Sequence, residues 1–532
     1  AVTLPRAVKP GESVRVELTF RAKIPRTFAR TGFRGDYYFI AHWFPKLGVF
    51  EGERGWNCHQ YHAGTEYFSD YGVYDVTITT PSDYVVGATG RVTESVDHGD
   101  GTTAHRYQQA DVHGFAWTAS PDYLEAIDRF EHPDLPPVDI RLLYQPEHAH
   151  QVGRHIDATK AALEHYGLWY GAYPYGHVTV IDPAWGSGAG GMEYPTFFTC
   201  GTGIHRPFGA GSPEGVTVHE AGHQFWYGIV GNNEFEHAWL DEGLNTYSTA
   251  RTMQAAYGDS FLVRRYLAPP GARGIVSLAF PEIQEDAWMG RLHRYRDDAS
   301  SDVQSTPSWQ YHPGTGGSLS YSKTALWLRT LENHLGWETF QPVMAAFFER
   351  YKFKHPTPDD FVDVFNEVSG EDLDWFFDQV LHDAVAFDYA IDSVKSKRVE
   401  LKGFAGDEGD PVYLDPKADE DDGDDRKTWR SDVVVRRNGG GRFPVQVKFV
   451  YENGDESIHE WDGQGRWTLF SEEHPSKLRY AVVDPDGVLA LDIRPLNNSL
   501  FRKAETKKGA VKWSAMWMVW VQDLLSSWAF FI

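Results

Sequence analysis

The stretch His219-Glu220-Ala221-Gly222-His223, followed after 18 residues by Glu242 in Trp239-Leu240-Asp241-Glu242-Gly243, decides what the rest of the chain should be. On a helix, positions i and i+4 share a face, so both imidazoles can reach one ion at about 2.0–2.1 Å. Glu220 points toward the same cleft and can take a proton from water there. A zinc site that performs chemistry takes three protein ligands and keeps a fourth position open. Glu242 is the candidate third ligand. The intervening length lets one helix end near Gly228, a connection return, and a second helix present the carboxylate. Ser212 as cap, Pro213 at the first helical position and Glu214 near the positive end predict the helix start. Asp241 reads as a helix-start charge, or as a partner orienting a ligand histidine. Glu234, Glu236 and His237 read as polar loop residues. The expected cofactor is one Zn²⁺ ion.

Two further segments flank this motif. Upstream, the glycine-rich run 186–191 leads into Gly190-Gly191-Met192-Glu193-Tyr194; downstream lies Tyr321-Ser322-Lys323-Thr324. The histidine pair, the intervening Glu and the later Glu resemble the gluzincin peptidases. The upstream segment resembles the Gly-Ala-Met-Glu-Asn motif of the aminopeptidase N family, and the downstream one its Tyr-x-Lys-Gly segment. Gly191, Tyr194 and Thr324 depart from those patterns. The resemblance implies a zinc-dependent aminopeptidase acting on peptides with a free N-terminus. In it Glu193 anchors the substrate ammonium, Gly190, Gly191 and Met192 line the substrate strand, and Tyr321 supports the oxyanion. It leaves the second amine-binding residue unplaced, with His42 as a weak candidate inside an aromatic cluster. The alternatives are an endopeptidase on the same zinc site, a non-peptide hydrolase, or a catalytically silent membrane-associated interaction module.

Outward from the motif, the chain divides into segments of different period. Val14, Val16, Leu18 and Phe20 alternate with polar residues, and Val73 to Thr79 repeats that pattern before a Pro81-Ser82-Asp83 turn. Residues 1–131 are therefore expected to form an N-terminal antiparallel β-sandwich, incomplete against the family pattern. Helical spacing follows over 151–166, with Gly167 as a stop, then a strand from His177 to Asp182. Helical patterns dominate to about residue 387, including Tyr321 to Leu335 and Pro358 to Val368. With the resemblance, residues 132–387 become a thermolysin-like α-rich catalytic domain. Strand signals around Asn438-Gly439-Gly440-Gly441 and Asn453-Gly454 make 388–497 a C-terminal β-sandwich. The expected fold class is thus α+β multidomain. Within that last unit, the acidic run from Asp419 to Asp425 lacks calcium-loop spacing and reads as solvated loop.

Composition narrows the partners. At 532 residues the chain is long enough for several cores. Its formal charge of −25 argues against nucleic-acid binding, which needs a basic surface. Cys58 and Cys200, far apart, are too few for a disulfide scaffold. The chain starts at Ala1 without a leader, which reads as a processed or fragmentary N-terminus. Basic residues 502–508 precede the apolar stretch Val511 to Ile532, interrupted by Lys512 and Asp523. Its readings are an interfacial helix, the start of a membrane anchor, or a docked helix. Membrane or cell-envelope association through it is one open reading, and a cytoplasmic location is another. Oligomeric state is unmarked in the sequence.

Overall fold

The computed structural model describes residues 4–529, apart from 5, 28–29, 61, 63–64, 205–208, 264–282, 400–402, 406–411 and 415–427. The acidic run Asp419 to Asp425 lies outside the described residues, as do residues 530–532 of the apolar tail.

The N-terminal part pairs two antiparallel sheets. One orders Gly32–Arg34, Tyr37–Ile40, Trp117–Ser120 and Val85–Ala88; the other orders Gly72–Pro81, Thr102–Val112 and Arg91–Asp97. Along Gly72–Pro81 the alternation works as expected: Tyr74, Val76, Ile78 and Thr80 turn inward while Val73 and Asp75 face water. Ile78, Val86, Tyr107, Phe115 and Ala119 fill the space between the sheets. The same alternation fails at Val14 to Phe20, where no strand forms and all four apolar side chains are exposed. A half-buried period does not itself supply the neighbouring backbone that a strand's N–H and C=O groups require.

A five-stranded sheet forms the floor of the middle region, in the order Leu124–His132, Leu135–Tyr144, His177–Ile181, Phe197–Cys200, Gly191–Met192. Its first hairpin runs across residue 131, so the sheet is continuous over the expected boundary there. Helix α1 (Val152–Trp169) packs on this sheet. It passes straight through Gly167, the expected stop. Leu135 occupies the space a side chain would need at that position, so the glycine serves packing rather than termination.

Helices α2 (Glu214–Gly222), α3 (Glu234–His237), α4 (Glu242–Tyr257) and α5 (Ala287–Tyr295) follow. Then come a π-helical segment, Ser318–Lys323, and the helix Thr324–Leu335. Trp239, Trp327, Phe361 and Phe377 meet edge to face in their shared core. Each such buried ring contributes on the order of 2 kcal/mol from area alone. Thr357 caps the helix Pro358–Ser369 through a capping box with Asp360.

The C-terminal sheets order Tyr389–Arg398, Trp429–Arg437 and Trp467–His474 in one layer, and Glu456–Trp461, Val445–Tyr451, Leu478–Val483 and Ser499–Phe501 in the other. Asn438 to Gly441 therefore crosses between layers instead of closing a hairpin. The last strand carries the sheet past residue 497. Thr506–Ala529 is a single helix, and among the described residues no helix is long and apolar enough to cross a membrane. The architecture is multidomain: a β-rich N-terminal domain, a central helical domain and a C-terminal β-sheet domain.

Candidate active site

Helix α2 is shorter than expected. It ends at Gly222, and Pro213 rather than Ser212 occupies the cap, with no side-chain cap bond. Glu214 does more than complement a dipole, since Arg154 from α1 holds it through two bonds of 2.6 and 2.7 Å. At the other end, a side chain at Gly222 would collide with Asn245 and Tyr166. That absence lets α4 lie close, and Asn245 Nδ2 donates to the His219 carbonyl at 2.6 Å while its Oδ1 accepts from Tyr166 at 2.7 Å. The two elements bearing the candidate ligands are thereby locked in register.

The result is a triangle of donor atoms. His219 Nε2 and His223 Nε2 are 3.2 Å apart, and Glu242 Oε2 lies 3.2 and 3.1 Å from them. Zinc bond lengths of about 2.0–2.1 Å in tetrahedral geometry imply donor separations of roughly 3.3 Å, close to these edges. His223 Nδ1 donates to the Trp226 carbonyl at 3.1 Å, which leaves Nε2 as the lone-pair nitrogen. Trp226, not Asp241, thus orients this imidazole; Asp241 is buried and instead accepts from Asn232. Among the described residues, His219, His223 and Glu242 form the sole His/Cys/Asp/Glu cluster able to hold a metal ion. Burial pushes His219 down to about 4, so its imidazole is neutral at pH 7. For His223 burial is overridden by the Glu242 carboxylate, and its pKa rises to about 9. A cation held by the same atoms displaces that proton.

Glu220 is buried beside this triangle, and its Oε2 has no hydrogen-bond partner. Its Oε1 sits 2.6 Å from where a side chain at Gly191 would begin, so Gly in place of Ala leaves room for the carboxylate. Burial, and then the Glu242 charge, push its pKa well above the usual carboxylate range. Tyr321 lies in the π-helical segment rather than opening a plain α-helix. Its hydroxyl donates to Glu242 Oε1, and burial with the Glu242 charge keeps it protonated.

Gly191–Met192 is the edge strand of the floor sheet, and Glu193 follows it, buried. Burial pushes Glu193 well up, opposed by His223 and reinforced by Glu66, Glu220 and Glu242. Sequence reasoning missed the rest of this flank. Glu66 is fully buried and paired with Arg30 at 2.8 Å and His42 at 2.5 Å. Its backbone N–H donates to Glu234 at 3.0 Å, so Glu234 is a buried group and not a loop polar residue. Arg30 Nε also contacts Met192 Sδ at 3.2 Å, tying the upstream motif to this pair. No spacing marks Glu66; its only signal is a charge beside Tyr67 and Phe68. His42 has φ +51° and packs against Tyr67 and Tyr194 as expected of the cluster. Cys58 and Cys200 are both free thiols.

A candidate metal triangle at the edge of a mixed sheet, between two β-rich domains, resembles the arrangement expected of a gluzincin peptidase. Residues 210–380 match the peptidase family M1 domain. Aminopeptidase M1-D of Oryza sativa subsp. japonica is 27% identical over 158 residues, 29% of this chain and 16% of the rice protein. Leucine aminopeptidase 2-1 of Meyerozyma guilliermondii is 25% identical over 177 residues, 33% of this chain and 26% of the yeast protein. The fold is similar to the crystal structure of Legionella pneumophila aminopeptidase A in complex with aspartic acid (TM-score 0.55, 14% identity, 79% of this chain and 44% of that one). The matched regions span 16%, 26% and 44% of the length of these three proteins. Residues 210–380 thus carry a peptidase family M1 domain, and this part of the chain is similar to aminopeptidases of that family.

Proposed function

We propose that the chain is a zinc-dependent aminopeptidase that hydrolyses the first peptide bond of substrates with a free N-terminus. The observation that carries this reading is the His219–His223–Glu242 triangle with the unpartnered Glu220 oxygen beside it. Zinc, when bound, supplies a Lewis acid that polarises the substrate carbonyl and makes water easier to deprotonate.

The chain's own groups do the rest. Glu220 takes the proton from the attacking water and delivers it to the leaving amine; its raised pKa suits both transfers. Tyr321 gives its hydroxyl bond to the carbonyl oxygen as negative charge develops there. Glu193 accepts from the substrate ammonium, whose positive charge relieves the repulsion among Glu193, Glu66 and Glu234. The Gly191–Met192 edge offers backbone groups to an extended substrate.

A panel of aminoacyl fluorogenic amides, with and without a chelator, tests the reading. Chelator-sensitive release is expected from free aminoacyl amides and not from N-acetylated ones. Equal cleavage of blocked and free substrates would overturn the exopeptidase assignment.

A further inference from the structure

A flank of the triangle that Glu193 does not line carries two arginines. A cavity of about 660 Å³ opens there, lined by His219 and Tyr321 together with Arg291, Arg294, Glu285 and Asp286. None of Glu66, Glu193 or Glu234 lines it.

Both acidic groups of this cavity are already engaged. Glu285 accepts from His293 Nδ1 at 3.0 Å, and Asp286 caps α5 through the Trp288 and Met289 N–H groups at 2.9 and 2.6 Å. Among the described residues, neither Arg291 nor Arg294 has a hydrogen bond or ion pair. Arg291 is also partly withdrawn from water, near enough to Arg294 and to His219 for its charge to bear on both. A guanidinium in that position loses hydration without gaining a partner, an arrangement that a ligand carboxylate completes.

We propose that Arg291, supported by Arg294, binds a carboxylate on the leaving-group side of the substrate. On the aminopeptidase reading, which this inference extends, the cleft is acidic where the ammonium binds and basic beyond the scissile bond. It therefore selects short peptides that present a C-terminal carboxylate, or an acidic side chain, one or two residues past the cut. The guanidinium plane suits a two-bond contact with either source.

Equilibrium binding to the full-length Glu220→Gln chain, which holds peptide uncleaved, tests this. The ligands are Ala-Ala-Ala with a free C-terminus, its C-terminal amide, and the same amide with glutamate in second place. The free acid is expected to bind about ten- to a hundredfold more tightly than the plain amide, the size of one hydrogen bond to a charged group. Tight binding of the glutamate-containing amide, with the free acid no tighter than the plain amide, assigns the contact to a side chain. In the Arg291→Gln version of that chain, acid and amide converge. Equal binding of all three ligands by the Glu220→Gln chain, or binding of none, overturns the proposal without any need for the Arg291 variant to fold. Failure of the unmutated chain to cleave aminoacyl amides overturns the aminopeptidase reading alone, because acid against amide is read by binding.

Discussion

Glu242 and Glu220 are both buried within one site, yet their surroundings drive them apart. Burial alone would raise Glu242, but two imidazoles override it and hold its carboxyl well below the usual range. Glu220 has no such partner and is pushed well above it. The contrast repeats on the N-terminal side. There, Arg30 and His42 override burial to keep Glu66 ionised, whereas Glu193 and Glu234 are driven upward. Depth therefore does not set charge state here; the counter-charge does. Paired carboxylates hold the architecture together. Unpaired ones strain it and, on the proposed reading, stay available to substrate.

That division predicts which residues cost function without costing stability. The largest effect is expected at Glu220. Glu220→Gln should lower turnover on the order of 10²–10⁴-fold while metal content and melting temperature hold or rise, because a buried, unpaired acid is replaced by a neutral isostere. Simultaneous loss of metal would place Glu220 among the structural partners and break the comparison. Tyr321→Phe comes next. It removes one oxyanion donor, and kcat should fall about 10²–10³-fold with little change in KM. A rise in KM with kcat intact would return Tyr321 to packing. Glu193→Ala should reduce kcat/KM for free aminoacyl substrates by about ten- to a hundredfold, the worth of one charge-assisted hydrogen bond. An unchanged rate, measured against acetylated controls, would remove Glu193 from amine recognition.

Much of this site was legible because its chemistry is local in sequence. His219 lies in the last turn of α2 and His223 caps its end, while Glu242 begins the helix that Asn245 ties back to α2. Tyr321 and Glu193 could be named only by resemblance to family motifs. Their positions depend on a π-helical segment and an edge strand that no period announces. Glu66, Arg30 and Glu234 were missed for a stronger reason. Their pairing joins segments about 40 to 170 residues apart, and an isolated Glu or Arg in sequence looks like surface. Alternation read Gly72–Pro81 correctly and Val14 to Phe20 wrongly, since the period records which face is apolar and not whether a neighbouring strand exists. Arg291 and Arg294 carry no mark in the sequence, because their lack of a partner among the described residues is visible only once the cavity is built.

The smallest expected effect lies outside the reaction and tests the rule itself. Lys323, two residues past Tyr321, is fully buried, and its Nζ has no hydrogen-bond partner. Burial lowers its pKa to about 7, with Asp383 only partly opposing. The folded-state pKa lies below the unfolded value of about 10.4. Between these values the unfolded chain binds a proton that the folded chain refuses, so native stability rises with pH across that window. Lys323→Met removes this penalty and fills similar space. The variant should gain on the order of 2 kcal/mol at pH 8, and clearly less at pH 10, where the unfolded lysine is already losing its proton. Thermal melts at the two pH values decide it. An equal gain at both would mean that Lys323 stays charged inside the fold beside a counter-charge, placing it with Glu242 and Glu66 among the paired groups.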